Sequence, residues 1–185
     1  MDLRSHSKLH DLSLSKNALV NLQGFENLTN LVELNVAENQ LTSIAGIQNC
    51  PKLKHLNLQG NKIEVFDEVP DLPALEVINM TLCPIAKLEE IGKLITLKSL
   101  KSINLTETPL AEEKGDDLKK EVLILLDGIV LTSFNGEEVT ADDIAEAKAE
   151  KAERIKAAEE ARKAAEEEAA AAAAAKAAEE AGEGE

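Results

Sequence analysis

The side chains best suited to metal binding or nucleophilic catalysis are three histidines and two cysteines. They are His6, His10, His55, Cys50 and Cys83. Their spacing does not match a metal site, and neither cysteine has a histidine placed to act as its base. The sequence also contains no glycine-rich phosphate loop. These observations predict single surface histidines, no metal or cofactor, and no enzymatic activity.

Composition argues against several classes of partner. Acidic residues outnumber basic residues by 35 to 20, and the resulting net charge of -15 disfavours nucleic-acid binding through a basic surface. There is no Trp or Tyr and there are only three Phe, so the core must be aliphatic and no aromatic platform can stack bases. Two lone cysteines, no signal peptide and no membrane-spanning run lead us to expect a soluble protein of a reducing, intracellular compartment.

A repeated pattern of apolar residues organises the first 110 residues. Its complete copy runs from Leu31 to Ile47 and reads L-x-x-L-x-V-x-x-N-x-L-x-x-I-x-G-I. The alternation predicts a half-buried strand, and the asparagine stands where the chain leaves that strand. Copies begin 22 residues apart, except for a step of 25 before the last; they start at Leu9, Leu31, Leu53, Leu75 and Leu100. This leucine-rich-repeat signature predicts an α/β solenoid of about five 22-residue repeats with a concave parallel sheet.

The asparagine of the pattern has a predicted structural role. Its side chain can hydrogen-bond backbone groups of adjacent turns that would otherwise be buried without partners. Asn17, Asn39 and Asn61 occupy this position in the first three repeats, whereas Cys83 and Thr108 replace it later. We therefore expect fewer such bonds and less regular structure in the last two repeats.

Two columns of mostly polar residues should line the concave face. One comprises Ser13, Asn35, Asn57, Asn79 and Asn104, and the next outward comprises Ser15, Ala37, Gln59, Thr81 and Thr106. Two interpretations remain open. These residues are merely solvated, as polar side chains usually are, or they form a nearly uncharged strip kept for a partner backbone or helix.

Val77 and Leu82 should face the same side, which favours the second interpretation. The candidate protein-binding residues are Asn35, Asn57, Asn79, Asn104, Gln59, Val77, Thr81 and Leu82. Replacing Asn57 and Asn79 with Lys is expected to weaken partner binding at little cost in stability, because neither position is in the predicted core.

The two ends of the array differ. The first repeat follows only a short polar segment, residues 1–8, which leaves its apolar edge without an evident cap. Either that segment folds over the edge or a partner covers it, and we expect a partner. At the other end, apolar residues recur at helical spacing and predict one amphipathic helix across the array; they are Leu118, Val122, Leu125 and Leu126.

Residues 131–139 follow this helix with a hydrophobic pair, an Asn-Gly turn and a Val. This arrangement resembles the C-terminal cap of SDS22-like leucine-rich-repeat proteins, with Asn135 where Asp is usual. We therefore expect a leucine-rich-repeat domain over residues 1–140, with its cap at about 111–140. A helical tail should occupy 141–185.

The tail begins with a capping-box pattern, Thr140-Ala-Asp-Asp143, and has 20 Ala among its 45 residues. These features predict a helix to about Ala181, supported by pairs such as Glu150 with Arg154. Because it has no a/d seam of large aliphatic residues, it is coiled-coil-like in composition but should not form a stable two-stranded coiled coil.

The segment from Pro109 to Ala161 carries a more specific resemblance. It combines the sequence Pro-Leu-Ala-Glu-Glu-Lys-Gly-Asp-Asp, a Glu-Glu-Val-Thr turn and a long Ala/Glu/Lys/Arg helix. Together these features resemble the leucine-rich-repeat proteins of ciliary axonemes, those of radial spokes in particular. The resemblance implies a non-enzymatic cytoskeletal scaffold of the cilium or flagellum. Its partners would be other axonemal proteins, such as radial-spoke or dynein subunits, in a large hetero-oligomeric assembly without nucleic acid or membrane.

Other families share parts of this plan. Outer-arm dynein light chain 1 has similar repeats and a Pro-Leu-x-Glu-Glu-Lys loop, but it has a longer N-terminal region and lacks the Ala-rich tail. Nuclear acidic leucine-rich proteins, including the spliceosomal U2 A-prime protein, and the leucine-rich regulatory subunit of type-1 phosphatase combine repeats with a similar cap. The nuclear proteins typically end in nearly pure Asp/Glu, and the phosphatase subunit has more repeats.

Overall fold

The computed structural model describes residues 6–182. The chain divides into two compact units, Met1–Ile144 and Ala145–Glu185. The first unit contains a seven-stranded sheet whose strands follow one another in chain order. Its strands are β1 (Asp11–Ser13), β2 (Glu33–Asn35), β3 (His55–Asn57), β4 (Val77–Asn79), β5 (Ser102–Asn104), β6 (Ser133–Phe134) and β7 (Glu137–Glu138).

Strands β1 to β5 are the strands of the five predicted repeats. They pair in parallel with one common register, so equivalent residues of successive repeats lie side by side. The middle residue of each strand points into the core, and in β2 to β5 it is buried; these residues are Leu34, Leu56, Ile78 and Ile103. The predicted α/β solenoid with a parallel sheet is confirmed.

The return segments consist of consecutive tight turns, each of which buries an apolar residue. After β1, the amides of Phe25, Leu28 and Leu31 each donate to the carbonyl three residues earlier, at 3.3, 3.0 and 3.0 Å. The glycine of the motif is explained here as well. Gly46 has a φ of +113°, and a Cβ at this position would lie 2.3 Å from the backbone oxygen of Leu22. Only glycine allows both that conformation and that close approach of neighbouring repeats.

The motif asparagines form the predicted hydrogen-bond ladder between repeats. Asn61 is buried, and its Nδ2 donates to the carbonyl of Leu58 in its own repeat at 2.7 Å and to that of Val36 in the preceding repeat at 2.9 Å. Its Oδ1 accepts from the amide of Leu41 at 3.0 Å. Asn39 makes the equivalent contacts one repeat earlier. Each buried asparagine therefore joins two successive repeats.

The substitutes in the last two repeats make fewer of these bonds. Cys83 Sγ donates to the carbonyl of Leu58 at 3.4 Å, and burial raises the pKa of this thiol. Thr108 Oγ1 donates to Leu105 O at 2.8 Å and accepts from the amide of Ala111 at 3.2 Å, so it also caps the following helix. The expected loss of hydrogen bonds between these repeats is confirmed. The expected irregularity is not seen in the strands, since β4 and β5 keep the common register.

The 25-residue step before the last repeat accommodates a short helix, α1 (Leu88–Gly92), followed by a 3-10 turn at Lys93–Thr96. Glu90 in α1 is buried, and its Oε2 accepts from the amide of Phe66 at 2.6 Å. Lys93 Nζ bonds both the Glu90 carboxylate and the carbonyl of Phe66. Burial opposes ionisation, but the bonds from Lys93 and Phe66 prevail and hold the pKa of Glu90 below its usual value. This cluster ties α1 to the preceding repeat.

The cap contains two helices where the sequence predicts one. α2 (Pro109–Lys114) ends at Gly115, whose φ of 53° breaks the helix, and α3 (Asp117–Leu125) follows. The predicted apolar stripe lies on α3, where Leu118 and Val122 are buried. Strands β6 and β7 form an antiparallel hairpin that ends the sheet. The two residues of β7 are exposed glutamates, which disfavour pairing with a further strand.

The last helix, α4 (Ala141–Gly182), begins with the predicted capping box. Thr140 Oγ1 accepts from the amide of Asp143 at 3.2 Å, and Asp143 Oδ2 accepts from the amide of Thr140 at 2.8 Å. Lys119 of α3 lies 2.7 Å from the same carboxylate oxygen. The hydrogen bonds from Lys119 and Thr140 lower the pKa of Asp143 to about 2. Farther along α4, the predicted pair of Glu150 with Arg154 is present.

The N-terminal edge of the sheet is open in the described part of the chain. β1 pairs only with β2, and its apolar residues Leu12 and Leu14 are half-buried, whereas the equivalent residues of β2 are fully buried. Asn17 bonds only carbonyls of its own turn, because no earlier repeat stands beside it. Ser7 O accepts from Asn30 Nδ2 at 2.8 Å, while residues 1–5 of the suggested covering segment lie outside the described residues.

We predict that Asn61→Ala lowers the free energy of unfolding by about 2–3 kcal/mol, because it removes the bonds between repeats and leaves the buried amide of Leu41 without its acceptor. Asn17→Ala is the matched control, since it removes two bonds within one exposed turn; its loss should stay below about 1 kcal/mol. Urea unfolding of both variants measures the difference. Equal losses would contradict the stabilising role of the ladder.

We also predict that a partner covers the open edge. Amides of residues 9–22 should exchange faster in the isolated protein than the equivalent amides of residues 31–44, because their repeat is packed on one side only. The same amides should become protected in the assembled complex. Hydrogen exchange followed by mass spectrometry compares the two segments within one molecule. Slow exchange of residues 9–22 in the free monomer would mean that residues 1–8 cover the edge.

Candidate functional site

Four asparagines occupy equivalent positions at the ends of β2 to β5. The common register places each one beside the next, and the four define the asparagine strip: Asn35, Asn57, Asn79 and Asn104. Each is half-buried, and each side chain lies on the face opposite the buried middle residue of its strand. The strip therefore runs across the concave face, as predicted.

The side-chain oxygens of the strip are already used within the fold. Each Oδ1 accepts from the backbone amide two residues later, at 3.0–3.1 Å; the donors are Ala37, Gln59, Thr81 and Thr106. These are Asx turns, which steer the chain out of the strand and into the following tight bend. An asparagine at the last position of a strand, just before a bend, is the sequence signal for such a turn. Our sequence reasoning did not use it.

The side-chain nitrogens of the strip face outward. Because each Oδ1 is held against the backbone, its Nδ2 points away from the turn, and none of the four donates to a protein acceptor among residues 6–182. The hydroxyls of Thr81 and Thr106 donate to Asn79 and Asn104 at 2.7 and 2.6 Å and further fix these amides. The strip is thus a row of oriented hydrogen-bond donors.

A depression of about 620 Å³ covers the part of the concave face formed by β1 to β4. It unites four of the predicted residues: Asn35, Asn57, Asn79 and Val77. Its lining does not include the other four, Asn104, Gln59, Thr81 and Leu82. Leu82 is 49% exposed and has a φ of 61°, in the bend that follows β4. The candidate residues therefore divide between the depression and its surroundings.

Charged residues lie beside the strip, in a column that sequence reasoning left out. Asp11 and Glu33 stand at the β1 and β2 end, and His55 Nδ1 lies 3.0 Å from Glu33 Oε1. The strip itself is uncharged, as expected, but the depression it lines also has acidic side chains. The register of the strands, read two positions before the asparagines, was the signal that could have found them.

A second group of charges stands one residue before β3, β4 and β5. Glu76 lies 2.8 Å from Lys101 and 3.4 Å from Lys54, and hydrogen bonds from these two lysines hold the pKa of the Glu76 carboxyl below its usual value. Two cations around one carboxylate give this group a net positive charge.

The groups that could perform catalysis are not arranged for it. Within residues 6–182, no cluster of three or more His, Cys, Asp or Glu side chains could hold a metal ion. Cys50 is buried, and this burial, with the nearby charge of Glu26, raises the pKa of its thiol to about 11. Such a thiol is protonated near neutral pH and is a poor nucleophile. None of the described helices is both long and apolar enough to span a membrane.

Stacked parallel strands, tight return turns and an asparagine ladder define a leucine-rich-repeat solenoid. In agreement, residues 7–63 match the family described as leucine rich repeat. No curated protein sequence matches the chain. Repeats of this class form scaffolds for protein interaction, and the concave strip is suited to that role.

Solved structures with the same fold come from diverse sources. A chain of the Drosophila melanogaster SNF/U2A′ complex aligns with a TM-score of 0.67 at 17% identity, covering 79% of this chain and 86% of that one. Internalin C2 of Listeria monocytogenes aligns with a TM-score of 0.53 at 19% identity, covering 71% of this chain and 53% of that one. A leucine-rich-repeat protein of Leptospira interrogans aligns with a TM-score of 0.53 at 21% identity, covering 70% of this chain and 32% of that one. Identities this low show the fold alone.

The Asx turns revise the expected cost of lysine substitutions in the strip. We predict that Asn57→Lys lowers the free energy of unfolding by about 0.5–1.5 kcal/mol, because the amide of Gln59 loses its acceptor. Asn57→Asp keeps that acceptor and should stay within about 0.5 kcal/mol of the wild type. At Asn79 as well, the Lys variant should be less stable than the Asp variant. Urea unfolding compares the variants, and equal stability of the Lys and Asp forms would exclude a stabilising Asx turn.

Proposed function

We propose that this chain is a non-enzymatic interaction scaffold in the axoneme of a cilium or flagellum. It acts there as a component of a large hetero-oligomeric assembly, and a place in the radial spoke fits its sequence best. Its partners are other radial-spoke or dynein subunits, and its site of action is the cytoskeleton rather than a membrane or nucleic acid.

The observation that carries this proposal is the sequence of Pro109–Ala161, which resembles axonemal leucine-rich-repeat proteins beyond the generic repeats. Two helix starts lie at or within this segment. Thr108 caps α2 with Pro109 at the first helical position, and the box of Thr140 and Asp143 starts α4. At the standard rise, the 42 residues of α4 extend about 63 Å, which suits contacts with several partners.

The polar character of α4 also fits an assembly component. Its described side chains beyond Ala152 are exposed and include i,i+4 pairs such as Arg162 with Glu166. A helix with no apolar stripe gains little from packing on its own chain, so its stability depends on helix propensity and surface pairs. We interpret it as a strut whose alanines and charges contact neighbouring subunits.

An outer-arm dynein light chain 1-like regulator of a motor is an alternative within the same organelle. The loop Pro109–Lys114, which forms α2, is the feature in its favour. The Ala-rich tail counts against it. A protein of that kind would bind a dynein subunit rather than a radial-spoke subunit, so affinity purification from axonemes separates the two.

A nuclear leucine-rich-repeat protein is the candidate from another class. The TM-score of 0.67 with a chain of the SNF/U2A′ complex supports a similar fold, and at 17% identity it says nothing about the partner. The composition of α4 argues against this alternative, because Lys and Arg are interleaved with Glu throughout its described side chains. The same interleaving distinguishes the chain from acidic nuclear proteins, and a phosphatase regulatory subunit would have more repeats.

Localisation of a tagged full-length chain tests the proposal directly. Signal along the axoneme supports it, and a nuclear signal rejects it. Extraction of purified axonemes with salt then shows whether the chain fractionates with radial spokes or with outer-arm dynein.

We predict that α4 is required for incorporation. A chain ending after Ile144 keeps every repeat, the cap and the pair of Lys119 with Asp143, so it should still fold cooperatively, with only a small loss of stability from the removal of buried Ala147. It should nevertheless fail to enter the axoneme in cells lacking the full-length protein. Normal incorporation of the folded, truncated chain would mean that the tail is a dispensable extension.

A further inference from the structure

The asparagine strip has a spacing that a partner must match. Neighbouring strands of a sheet lie about 4.8 Å apart, so the four outward amides stand at about 0, 4.8, 9.6 and 14.4 Å along the strip. Each amide belongs to a separate strand of one continuous sheet, and its oxygen is fixed by an Asx turn. The row of donors is therefore rigid, and a partner must offer acceptors at the same intervals.

An α-helix lying across the strands provides these intervals. With a rise of 1.5 Å per residue, positions i, i+3, i+7 and i+10 lie at about 0, 4.5, 10.5 and 15 Å along one face. Each differs from the donor spacing by less than about 1 Å. Side chains on one face of an extended strand recur about every 6.6 Å, so the third is already about 3.6 Å out of step. The spacing favours a helix over an extended peptide.

The chemistry of the donors specifies the side chains of that helix. An amide nitrogen donates hydrogen bonds, so its partner must offer an acceptor, and among long, flexible side chains the oxygens of Gln and Glu do so; Lys and Arg have no acceptor to offer. The carboxylates of Asp11 and Glu33 lie beside the strip and would repel a fully acidic helix. Neutral carboxamides avoid this repulsion and therefore fit the strip best.

The helix of a second copy is the obvious competitor. In α4, four acidic side chains have the required i, i+3, i+7, i+10 spacing: Asp143, Glu146, Glu150 and Glu153. Asp143, however, is bound to Lys119 and Thr140, and Glu150 is paired with Arg154. Each copy also has a net charge of -15, so the two would repel at moderate salt. A helix from another protein can accept hydrogen bonds from the strip with less electrostatic repulsion.

We propose that the asparagine strip binds one α-helix of a partner protein that carries carboxamide side chains at positions i, i+3, i+7 and i+10. This proposal rests on the scaffold role given above and specifies its partner. The helix lies across the strands in the concave face, where its glutamine or asparagine oxygens accept from the four Nδ2 groups. Its apolar flank contacts Val77, which lines the same depression.

A designed helix provides the probe. An alanine-based peptide of about 18 residues carries Gln at the four positions, with basic residues at the end that would lie near Asp11 and Glu33. Two control peptides have the same length. One places the four Gln on different faces of the helix, and the other replaces them with Ala, which is neutral and has no side-chain acceptor. Circular dichroism establishes that all three have equal helicity.

Binding is followed by NMR titration of the ¹⁵N-labelled full-length chain. The Gln helix should shift the side-chain amide signals of Asn57 and Asn79, and both control peptides should bind at least about tenfold more weakly. Equal binding by either control, or shifts confined to other surfaces, would overturn the proposal. Because the titration uses purified protein, its outcome is independent of whether the chain localises to the axoneme.

The double variant N57D/N79D removes two donors while keeping both Asx acceptors, so it should fold normally and bind the Gln helix at least about tenfold more weakly. N21D is the matched control, since Asn21 Oδ1 accepts from the amide of Gln23 at 3.1 Å in an Asx turn outside the strip. N21D adds one negative charge, as N57D and N79D each do alone, so it is compared with these single variants and should bind like wild type. If N21D weakens binding equally, bulk charge is the cause and the donor row is excluded.

Sedimentation of the protein alone tests the competing occupant. A monomer at the titration concentrations agrees with a helix from another protein. A dimer that N57D/N79D dissociates and N21D does not would instead place the α4 of a second copy in the strip, and the proposal of a different partner would be wrong.

Discussion

Hydrogen bonding between successive repeats is the constraint on which this structure depends. Each of the strands β1 to β5 is only three residues long, so an isolated repeat makes few backbone bonds and buries only one side of its apolar edge. Asn39 and Asn61 compensate by joining each turn to the carbonyls and amides of the turn before it. Where Cys83 fills the position, the bonds are fewer, and the cluster of Glu90 and Lys93 ties the same region together on the return side.

The same constraint explains why the two ends differ. At the C-terminal end, Asn135 Oδ1 accepts from the amide of Leu105 at 2.7 Å, and the hairpin ends the sheet with the exposed glutamates of β7. At the N-terminal end, within residues 6–182, Asn17 Nδ2 donates only to carbonyls of its own turn and β1 pairs on one side only. One end is finished by its own residues, whereas the described part of the other exposes an edge that can accept further structure.

Periodicity was sufficient to predict the solenoid, because a buried position recurring every 22 residues leaves few alternatives for Leu34, Leu56 and Ile78. It could not predict α1 or the break between α2 and α3. These depend on the buried carboxylate of Glu90 and on the positive φ of Gly115, neither of which alters the apolar pattern. The four asparagines of the strip did fall in one column, but periodicity describes which side a residue occupies and not which of its atoms remain available for a partner.

That last distinction separates the two kinds of asparagine in this chain. Asn61 and Asn57 are four residues apart and chemically identical, yet Asn61 uses both ends of its amide inside the fold, whereas Asn57 uses only its oxygen. The Asx turn fixes the orientation of the Asn57 amide before any partner arrives, so binding does not have to immobilise it. Because the same turn recurs on four adjacent strands, an interaction that holds each strand end in place also presents a regular row of donors. In each of these four repeats, one backbone contact therefore both holds the end of the strand and orients the amide that we propose for recognition.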